Sequence, residues 1–157
     1  DFIKGADKFE GQGKDLGRGR LDTVRAKFHH VASMTNDANY LYLATVPNNK
    51  NAKDFIISKV SLKDRVLSGE FSPKAALKEG KTLGDLYVTS MAFKDGEIYA
   101  LSKNHNVIAI IDIAKEEVVK VISYPSEIKN ARSLFFKDNK IYILSYQDGS
   151  NKLYTLK

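Results

Sequence analysis

Short apolar runs separated by turn residues predict β-strands along most of this chain. The stretch FKDGEIYALS (93–102) places apolar residues on both sides of Asp95-Gly96. Asp-Gly favours the tight type I′ turn of a β-hairpin, in which both central residues have positive φ. The stretch FKDNKIYILS (136–145) repeats the pattern almost letter for letter. The sequence therefore predicts two copies of one hairpin.

A third copy of the hairpin, SMTNDANYLYLAT (33–45), precedes the other two. The copies align on the residues Ser33, Ser90 and Ser133, which are 57 and 43 residues apart. Nine residues after each Ser stands a Tyr, at Tyr42, Tyr99 and Tyr142. Internal repeats with this period are typical of propellers, solenoids and arrays.

A second predicted hairpin follows the first in two of the three copies. The runs FIISKVSL (55–62) and RVLSGEF (65–71) follow the first copy, and VIAIIDI (107–113) and VVKVISY (118–124) follow the second. Only KLYTLK (152–157) follows the third. Four antiparallel strands in about 43 residues indicate one β-propeller blade. A β-sandwich is the alternative, but it would not explain copies in register.

The sequence thus predicts an all-β chain built from about two and a half to three β-propeller blades, each a four-stranded antiparallel meander. The predicted blades span about 31–71, 88–124 and 131–157. The Gly-rich residues 1–20 are predicted to be a flexible N-terminal extension or linker, so that the propeller region covers 21–157.

Two further segments receive structural predictions. SPKAALKEG (72–80) predicts a short helical insertion between blades, since a capping Ser precedes Pro, helix formers and a terminating Gly. LDTVRAKF (21–28) predicts a fourth blade strand, which belongs either to a preceding blade or to the last one.

The number of blades raises the question of closure. Closed propellers have at least about four blades, and an open stack leaves exposed strand edges. The chain is therefore expected to be either part of a longer propeller or half of a six-bladed pair of chains. Its start without Met favours an excised piece.

The composition of the chain limits the functions that it can have. The net charge is +6, but the 25 basic residues are interleaved with 19 acidic ones, which indicates a solvated surface rather than a nucleic-acid-binding one. No apolar run approaches the length of a membrane span. The chain has no Cys, so it cannot itself perform thiol–disulfide chemistry or build a Cys-based zinc site.

No catalytic residue, metal site or cofactor is predicted. The Gly-rich run GQGKDLGRGR (11–20) lacks the spacing and the flanking strand and helix of a phosphate-binding loop. His29 and His30 are adjacent, and neighbours in a strand point to opposite faces, so they are poor joint metal ligands. Since no nucleophile motif or carboxylate pair emerges either, the chain is not predicted to be an enzyme.

The repeat places several polar residues at one end of the predicted blades. His30, Tyr87 and Asn130 stand three residues before the aligned Ser, where the first strand of each copy begins. We define the predicted loop face by these residues and their neighbours: His29, His30, Tyr87, Asn104, His105, Asn130 and Arg132. It is either a solvated surface or a site for a ligand or protein, because binding groups concentrate on loops held by a rigid scaffold.

The segment GRGRLDTVRAKFHHVASMTNDANYLYLATVPNNK (17–50), together with the later blade copies, resembles a known family. It is similar to the C-terminal periplasmic β-propeller region of bacterial DsbB/DsbI-type disulfide-bond-forming membrane oxidoreductases. In that family a multi-span membrane part carries the redox-active cysteines, and a propeller follows on the periplasmic side. The cysteine motifs are absent here, so no catalytic residue is carried over.

The resemblance implies a non-catalytic periplasmic module, the soluble part of an inner-membrane thiol oxidase, that recruits a thioredoxin-fold partner or a substrate protein. Catalytic cysteines and any membrane contact would then lie upstream of this chain. Self-association through open blade edges is a further expectation. The alternative is a stand-alone envelope sensor or ligand-binding propeller.

Overall fold

Antiparallel β-sheets make up most of the computed structural model, which describes residues 31–45, 55–76 and 83–156. Within those ranges there are eleven strands in three sheets, and the helical content is the single 3-10 turn Leu83–Leu86. The predicted all-β class is therefore confirmed.

Each sheet is a meander in which consecutive strands pair, as expected of propeller blades. Blade 1 contains β1 (Val31–Asn36), β2 (Tyr40–Thr45), β3 (Ile57–Ser61) and β4 (Leu67–Phe71). Blade 2 contains β5 (Val88–Lys94), β6 (Glu97–Ser102), β7 (Val107–Asp112) and β8 (Glu117–Ser123). Blade 3 contains β9 (Ala131–Lys137), β10 (Lys140–Gln147) and β11 (Ser150–Leu156).

The tight turns of blades 2 and 3 have the conformation that the sequence predicts, whereas Ala38 and Asn39 at the same place in blade 1 do not have positive φ. Asp95 and Gly96, between β5 and β6, have φ values of 49° and 85°. The equivalent residues of blade 3, Asp138 and Asn139, have φ values of 49° and 59°. Two successive positive φ values define the type I′ turn, whose twist matches that of the flanking strands.

The blades stack side by side in chain order through their first strands, with β1 against β5 and β5 against β9. One apolar core lies between blades 1 and 2 and is centred on Tyr42, Ile57, Ile98 and Ile111. A second core lies between blades 2 and 3 and contains Leu101, Ile108, Tyr124, Leu134 and Ile143. The three blades thus form an open arc rather than a closed ring.

Two contacts recur at both junctions between blades. The hydroxyl of Ser33 accepts a hydrogen bond from the Met91 amide over 2.7 Å, and that of Ser90 accepts one from the Leu134 amide over 3.0 Å. The repeated Tyr of one blade also packs on a Phe of the next. These aromatic pairs are Tyr42–Phe93 and Tyr99–Phe136, with ring centroids 6.4 and 4.8 Å apart. The aligned Ser and Tyr therefore join blades.

The segment predicted to be helical differs from that prediction where it is described. Residues 72–76 contain no helix, and Lys74 pairs in parallel with Glu117 at the start of β8. The Lys74 amide donates to the Glu116 carbonyl over 2.7 Å, and its own carbonyl accepts from Val118 over 2.8 Å. The unpaired edge of β8 offers these backbone bonds, which outweigh a modest helix propensity.

Several predicted segments lie outside the described residues. These are the N-terminal extension 1–20, the predicted strand 21–28, and the part of the predicted helix that spans 77–80.

Candidate functional site

Every blade begins with a β-bulge at the same repeat position. In blade 3, Ala131 pairs with Ser145 and Ser133 pairs with Leu144, so that Arg132 has no register partner. The equivalent residues of blades 1 and 2 are Ala32 and Thr89. A bulge interrupts the ladder and redirects a side chain. These three residues therefore mark one rim of the arc, where the first strands start.

The residues just before two of these first strands have left-handed backbone. Tyr87 has φ 43° and Asn130 has φ 51°. Asn adopts this region readily, whereas a bulky aromatic residue seldom does. Tyr87 is nevertheless exposed. A strained conformation that the surrounding structure maintains is a feature of binding and catalytic sites.

In blade 2, the loop between the second and third strands is fixed to the neighbouring connections. The ring nitrogen Nε2 of His105 lies 2.7 Å from the Asp85 carbonyl oxygen, just ahead of Tyr87. On the other side, the Tyr124 amide donates to the Asn106 carbonyl over 2.9 Å. Burial of Tyr124 also raises the pKa of its hydroxyl. Asn104 is exposed at the tip of this loop.

In blade 3, the equivalent loop is held in the same way. Gln147 Nε2 donates to the Glu127 carbonyl over 3.0 Å and to the Lys129 carbonyl over 3.3 Å. The buried hydroxyl of Ser145 donates to the same Lys129 carbonyl. Asn130 Nδ2 donates to the Tyr146 carbonyl over 3.2 Å, and the Tyr146 amide donates to the Asn130 carbonyl over 3.3 Å. The connection from blade 2 to blade 3 is therefore tied down at several points.

An exposed cation–aromatic pair stands on this fixed backbone. The guanidinium carbon of Arg132 lies 4.4 Å from the ring centroid of Tyr146, and both side chains are exposed. Stacking on the ring orders the guanidinium while its N–H groups stay available at the edge. The pair thus presents a planar donor group beside an aromatic surface.

The charges around this rim are mixed. The exposed cationic residues are Lys103, Lys129 and Arg132, and the exposed acidic ones are Asp85, Glu127 and Asp148. The Asp148 carboxylate pairs with Lys152 Nζ over 3.2 Å. A surface of this kind suits hydrogen bonding and stacking better than capture of a highly charged polymer.

The structure brings together some of the predicted site residues. In blade 2, His105 lies against the Asp85 carbonyl, two residues before Tyr87. In blade 3, Asn130 and Arg132 both contact Tyr146. Asn104 lies in the same loop as His105. His29 and His30 fall outside the described residues.

Sequence reasoning missed the role of Tyr146. Its place one residue after Ser145 is visible in the repeat. The bulge that directs Arg132 onto its ring has no sequence signature.

Two kinds of site are absent from residues 31–45, 55–76 and 83–156. No group of three or more His, Cys, Asp or Glu side chains there is arranged to hold a metal ion. No helix in the same ranges is both long and apolar enough to cross a membrane.

No protein-family model and no curated protein matches the chain. Solved structures do match it. U3-55K aligns with 81% of this chain and 34% of its own, at 14% identity and a TM-score of 0.51. Hydrazine synthase from Kuenenia stuttgartiensis aligns with 79% of this chain and 33% of its own, at 13% identity and the same TM-score of 0.51. The β-propeller domain of Cps50 (Swd1) from Myceliophteria thermophila aligns with 81% and 39%, at 8% identity and a TM-score of 0.45.

These likenesses concern the fold alone, because the identities are low. The chain spans about a third of the length of the first two structures. None of the three is named as a disulfide-forming oxidoreductase, so the resemblance to the DsbB/DsbI-type family stays a prediction. The pairing of consecutive strands and the stacking of the sheets make the described part of the chain an open arc of β-propeller blades.

Proposed function

We propose that this chain is a non-catalytic β-propeller module that binds a protein partner through its loop face. The observation that carries the proposal is the Arg132–Tyr146 pair, exposed on a rim whose loops are hydrogen-bonded to each other. Arg and Tyr are enriched at the energetic centres of protein interfaces. A rigid rim also reduces the ordering cost of association.

The arrangement of the amides favours a protein partner over a small ligand. The side chains of Asn130 and Gln147 are engaged in bonds to the loops themselves, so they stiffen the rim. A cavity of about 300 Å³ lies elsewhere, beside Val119 and Val121 on the outer strand β8. A fixed set of polar and aromatic groups is suited to a matching protein surface.

The more specific part of the proposal concerns the partner. We propose a thioredoxin-fold protein, or a substrate protein of a periplasmic thiol oxidase, recruited beside a membrane-embedded redox centre. The support is the resemblance of residues 17–50 and the absence of Cys from the 157-residue chain. A chain without Cys contributes to disulfide formation only by positioning a partner whose cysteines react elsewhere.

Binding of a purified thioredoxin-fold oxidase to the immobilised protein tests this proposal. The double variant Arg132→Ala/Tyr146→Ala should raise Kd by at least about tenfold. The matched control is Lys63→Ala, which removes an exposed cation from the turn between β3 and β4 at the opposite rim. Equal affinities for the double variant and the control would exclude this face as the docking site.

A thermal-shift screen of small molecules distinguishes a ligand-binding propeller, the alternative function, from a module that binds a protein partner. Stabilisation by a ligand, lost in Arg132→Ala, with no binding of protein partners, would identify a stand-alone sensor or ligand-binding propeller. Stabilisation by no ligand, together with partner binding that depends on Arg132, would support the docking module.

A further inference from the structure

The chain enters blade 3 on a connection that is bonded to the end of the second strand of that blade. Ala131, the first residue of β9, pairs with Ser145 in β10. The fully buried Ser145 hydroxyl donates to the Lys129 carbonyl, two residues ahead of Ala131. The Tyr146 amide donates to the Asn130 carbonyl over 3.3 Å. The path of the chain into blade 3 is therefore fixed by β10.

The chain enters blade 2 in the same register, but the corresponding hydroxyl is not satisfied. Val88 pairs with Ser102, as the equivalent residues pair in blade 3, and Leu86 stands where blade 3 has Lys129. The Ser102 side chain is 0% exposed, and its hydroxyl has no hydrogen-bond partner in the part of the chain that the structure describes. Such an orphaned hydroxyl is rare and costly, so this entrance differs from its repeat in one specific bond.

The backbone of this entrance also follows a different path. Within residues 83–156, no backbone hydrogen bond joins Lys103 to Tyr87, although their equivalents in blade 3 are bonded. Tyr87 has φ 43° and is 42% exposed. An aromatic residue seldom adopts left-handed backbone, so this conformation stores strain that a change of path would relieve.

The entrance to blade 2 is held from the loop side instead. Nε2 of His105 lies 2.7 Å from the carbonyl oxygen of Asp85, one residue ahead of Leu86. A carbonyl oxygen only accepts, so this contact requires the hydrogen on Nε2. The carbonyl that is held in blade 2 is thus displaced by one residue from the carbonyl that the buried Ser holds in blade 3.

The structure leaves space beside this connection. Leu86 is half-buried at the edge of the core between blades 1 and 2. It also borders a cavity of about 300 Å³ whose other walls include Ala75, Ala76 and Ala109. Protein interiors are normally close-packed, so a void of this size beside one side chain lets that side chain move without displacing its neighbours.

We propose that residues 83–87, which we call the blade 2 strap, exchange between two positions. In the described position, His105 holds the strap and the Ser102 hydroxyl has no partner. In the second position, the Ser102 hydroxyl donates to the Leu86 carbonyl, which is the bond that the equivalent residues make in blade 3. The exchange carries Tyr87, because that residue joins the strap to β5.

The position of the strap decides where the Tyr87 side chain stands on the predicted loop face. The rim then has a fixed part on blade 3, which carries Arg132 and Tyr146, and a movable part on blade 2. A partner that binds Tyr87 more tightly in one position shifts the strap toward that position. This consequence rests on the proposed function, whereas the two positions themselves do not.

A double-mutant cycle between His105 and Ser102 tests the two positions in the protein alone, by urea denaturation. In the wild-type background, Ser102→Ala removes a hydroxyl that has no partner, so the urea midpoint should stay the same or rise. His105→Ala releases the strap. In that background Ser102→Ala should lower the midpoint, because the hydroxyl has gained the Leu86 carbonyl as an acceptor.

Two further variants calibrate the cycle. Asn104→Ala is the matched control, since Asn104 is exposed at the tip of the loop that carries His105. In the Asn104→Ala background, Ser102→Ala should have the same effect as in the wild-type protein. Ser145→Ala removes the equivalent hydroxyl from a bond that already exists and should lower the midpoint of the wild-type protein.

Amide ¹⁵N relaxation dispersion measures the exchange directly. The amides of Leu86 and Tyr87 should show exchange on the microsecond-to-millisecond scale, whereas those of Lys129 and Asn130 in the bonded entrance of blade 3 should not. His105→Ala should change the exchange at the first pair of amides and leave the second pair as it was.

Three results would overturn the proposal. If Ser102→Ala has the same effect in the wild-type and His105→Ala backgrounds, His105 does not control the strap. If Ser102→Ala lowers the wild-type midpoint as much as Ser145→Ala does, the Ser102 hydroxyl is already bonded. Absence of exchange at Leu86 and Tyr87 would leave one position only. Failure of the loop face to bind a partner would alter none of these measurements, so it is distinguishable from failure of the strap.

Discussion

The hydroxyl oxygen of Ser90 in blade 2 lies 3.0 Å from the amide nitrogen of Leu134 in blade 3 and accepts its hydrogen bond. Both residues are buried, so the amide has no access to water. A buried amide without an acceptor is costly, and the Ser supplies the acceptor from the neighbouring blade. The same contact between Ser33 and Met91 shows that the blades are spaced by a repeated polar bond as well as by apolar packing.

Replacing Ser90 should therefore weaken the junction between blades 2 and 3. Ser90→Ala leaves the Leu134 amide unsatisfied and should lower the free energy of unfolding by about 1–3 kcal/mol. Urea denaturation measures the change. Ser123→Ala, at an exposed position of β8, is the control and should change stability by less than about 0.5 kcal/mol. Equal effects of the two substitutions would contradict the structural role of Ser90.

The edge-to-face contact between Tyr99 and Phe136 should couple blades 2 and 3 energetically. The rings meet at 86° with centroids 4.8 Å apart, a favourable geometry for aromatic side chains. A double-mutant cycle with Tyr99→Leu and Phe136→Leu should give a coupling free energy of about 0.5–1.5 kcal/mol. Additive single effects would show that the two residues act independently.

Two glycines should respond oppositely to the same substitution. No atom lies within 4 Å of a Cβ built on Gly96 or Gly69, so neither substitution causes a clash. Gly96 has φ 85°, which an L side chain seldom adopts, whereas Gly69 lies in strand β4 without positive φ. Gly96→Ala should lower the free energy of unfolding by about 1 kcal/mol. Gly69→Ala should leave it unchanged or raise it by a few tenths of a kcal/mol. Thermal unfolding measures both changes.

The Asp37 carboxyl group should make the free energy of unfolding depend on pH. Burial alone would raise the pKa of its carboxyl group, but hydrogen bonds from the Asn39 amide, the Tyr42 hydroxyl and the Tyr40 amide lower the pKa below its ordinary value. A carboxylate whose pKa is lowered by folding stabilises the protein above its unfolded-state pKa. That stabilisation is lost as the pH falls through the folded-state pKa.

Asp37→Asn should accordingly destabilise by about 1 kcal/mol at neutral pH, since the charged acceptor is replaced by a neutral one. The difference from the wild-type protein should shrink as the pH falls below about 5 and through the folded-state pKa of Asp37, measured by urea denaturation. Tyr42→Phe removes one of the three hydrogen-bond donors to the Asp37 carboxylate. It tests whether the pH-dependent stabilisation depends on these hydrogen bonds. A difference that stays constant with pH would contradict the assignment.

Local chemistry made much of this fold predictable. Asp95-Gly96 specifies its turn through backbone sterics, and the aligned Ser and Tyr residues reveal the repeat because every junction requires them. The segment around Lys74 is one for which the local sequence predicts the wrong structure. Its segment has helix-forming composition, but the edge of β8, distant in sequence, captures it as extended chain.

The candidate site was predictable only in outline. Repeat arithmetic places Tyr87 and Asn130 at equivalent positions, and the structure gives both left-handed backbone. The contact of Arg132 with Tyr146 depends on a bulge and on the return of β10 to the same rim, and neither is visible in local sequence. The contact between Arg132 and Tyr146 is set by tertiary geometry, which the repeat pattern of the sequence does not contain.

The bulge at the start of each blade separates the chemistry of the rim from the folding of the strands. A residue outside the pairing register can change its chemistry without moving its neighbours between the buried and exposed faces of the strand. Within this one chain the three equivalent positions hold Ala32, Thr89 and Arg132, which differ in size, polarity and charge on the same backbone frame. The chemistry of the rim can therefore change one blade at a time, and the bulge residues are the positions to vary when the proposed binding face is tested.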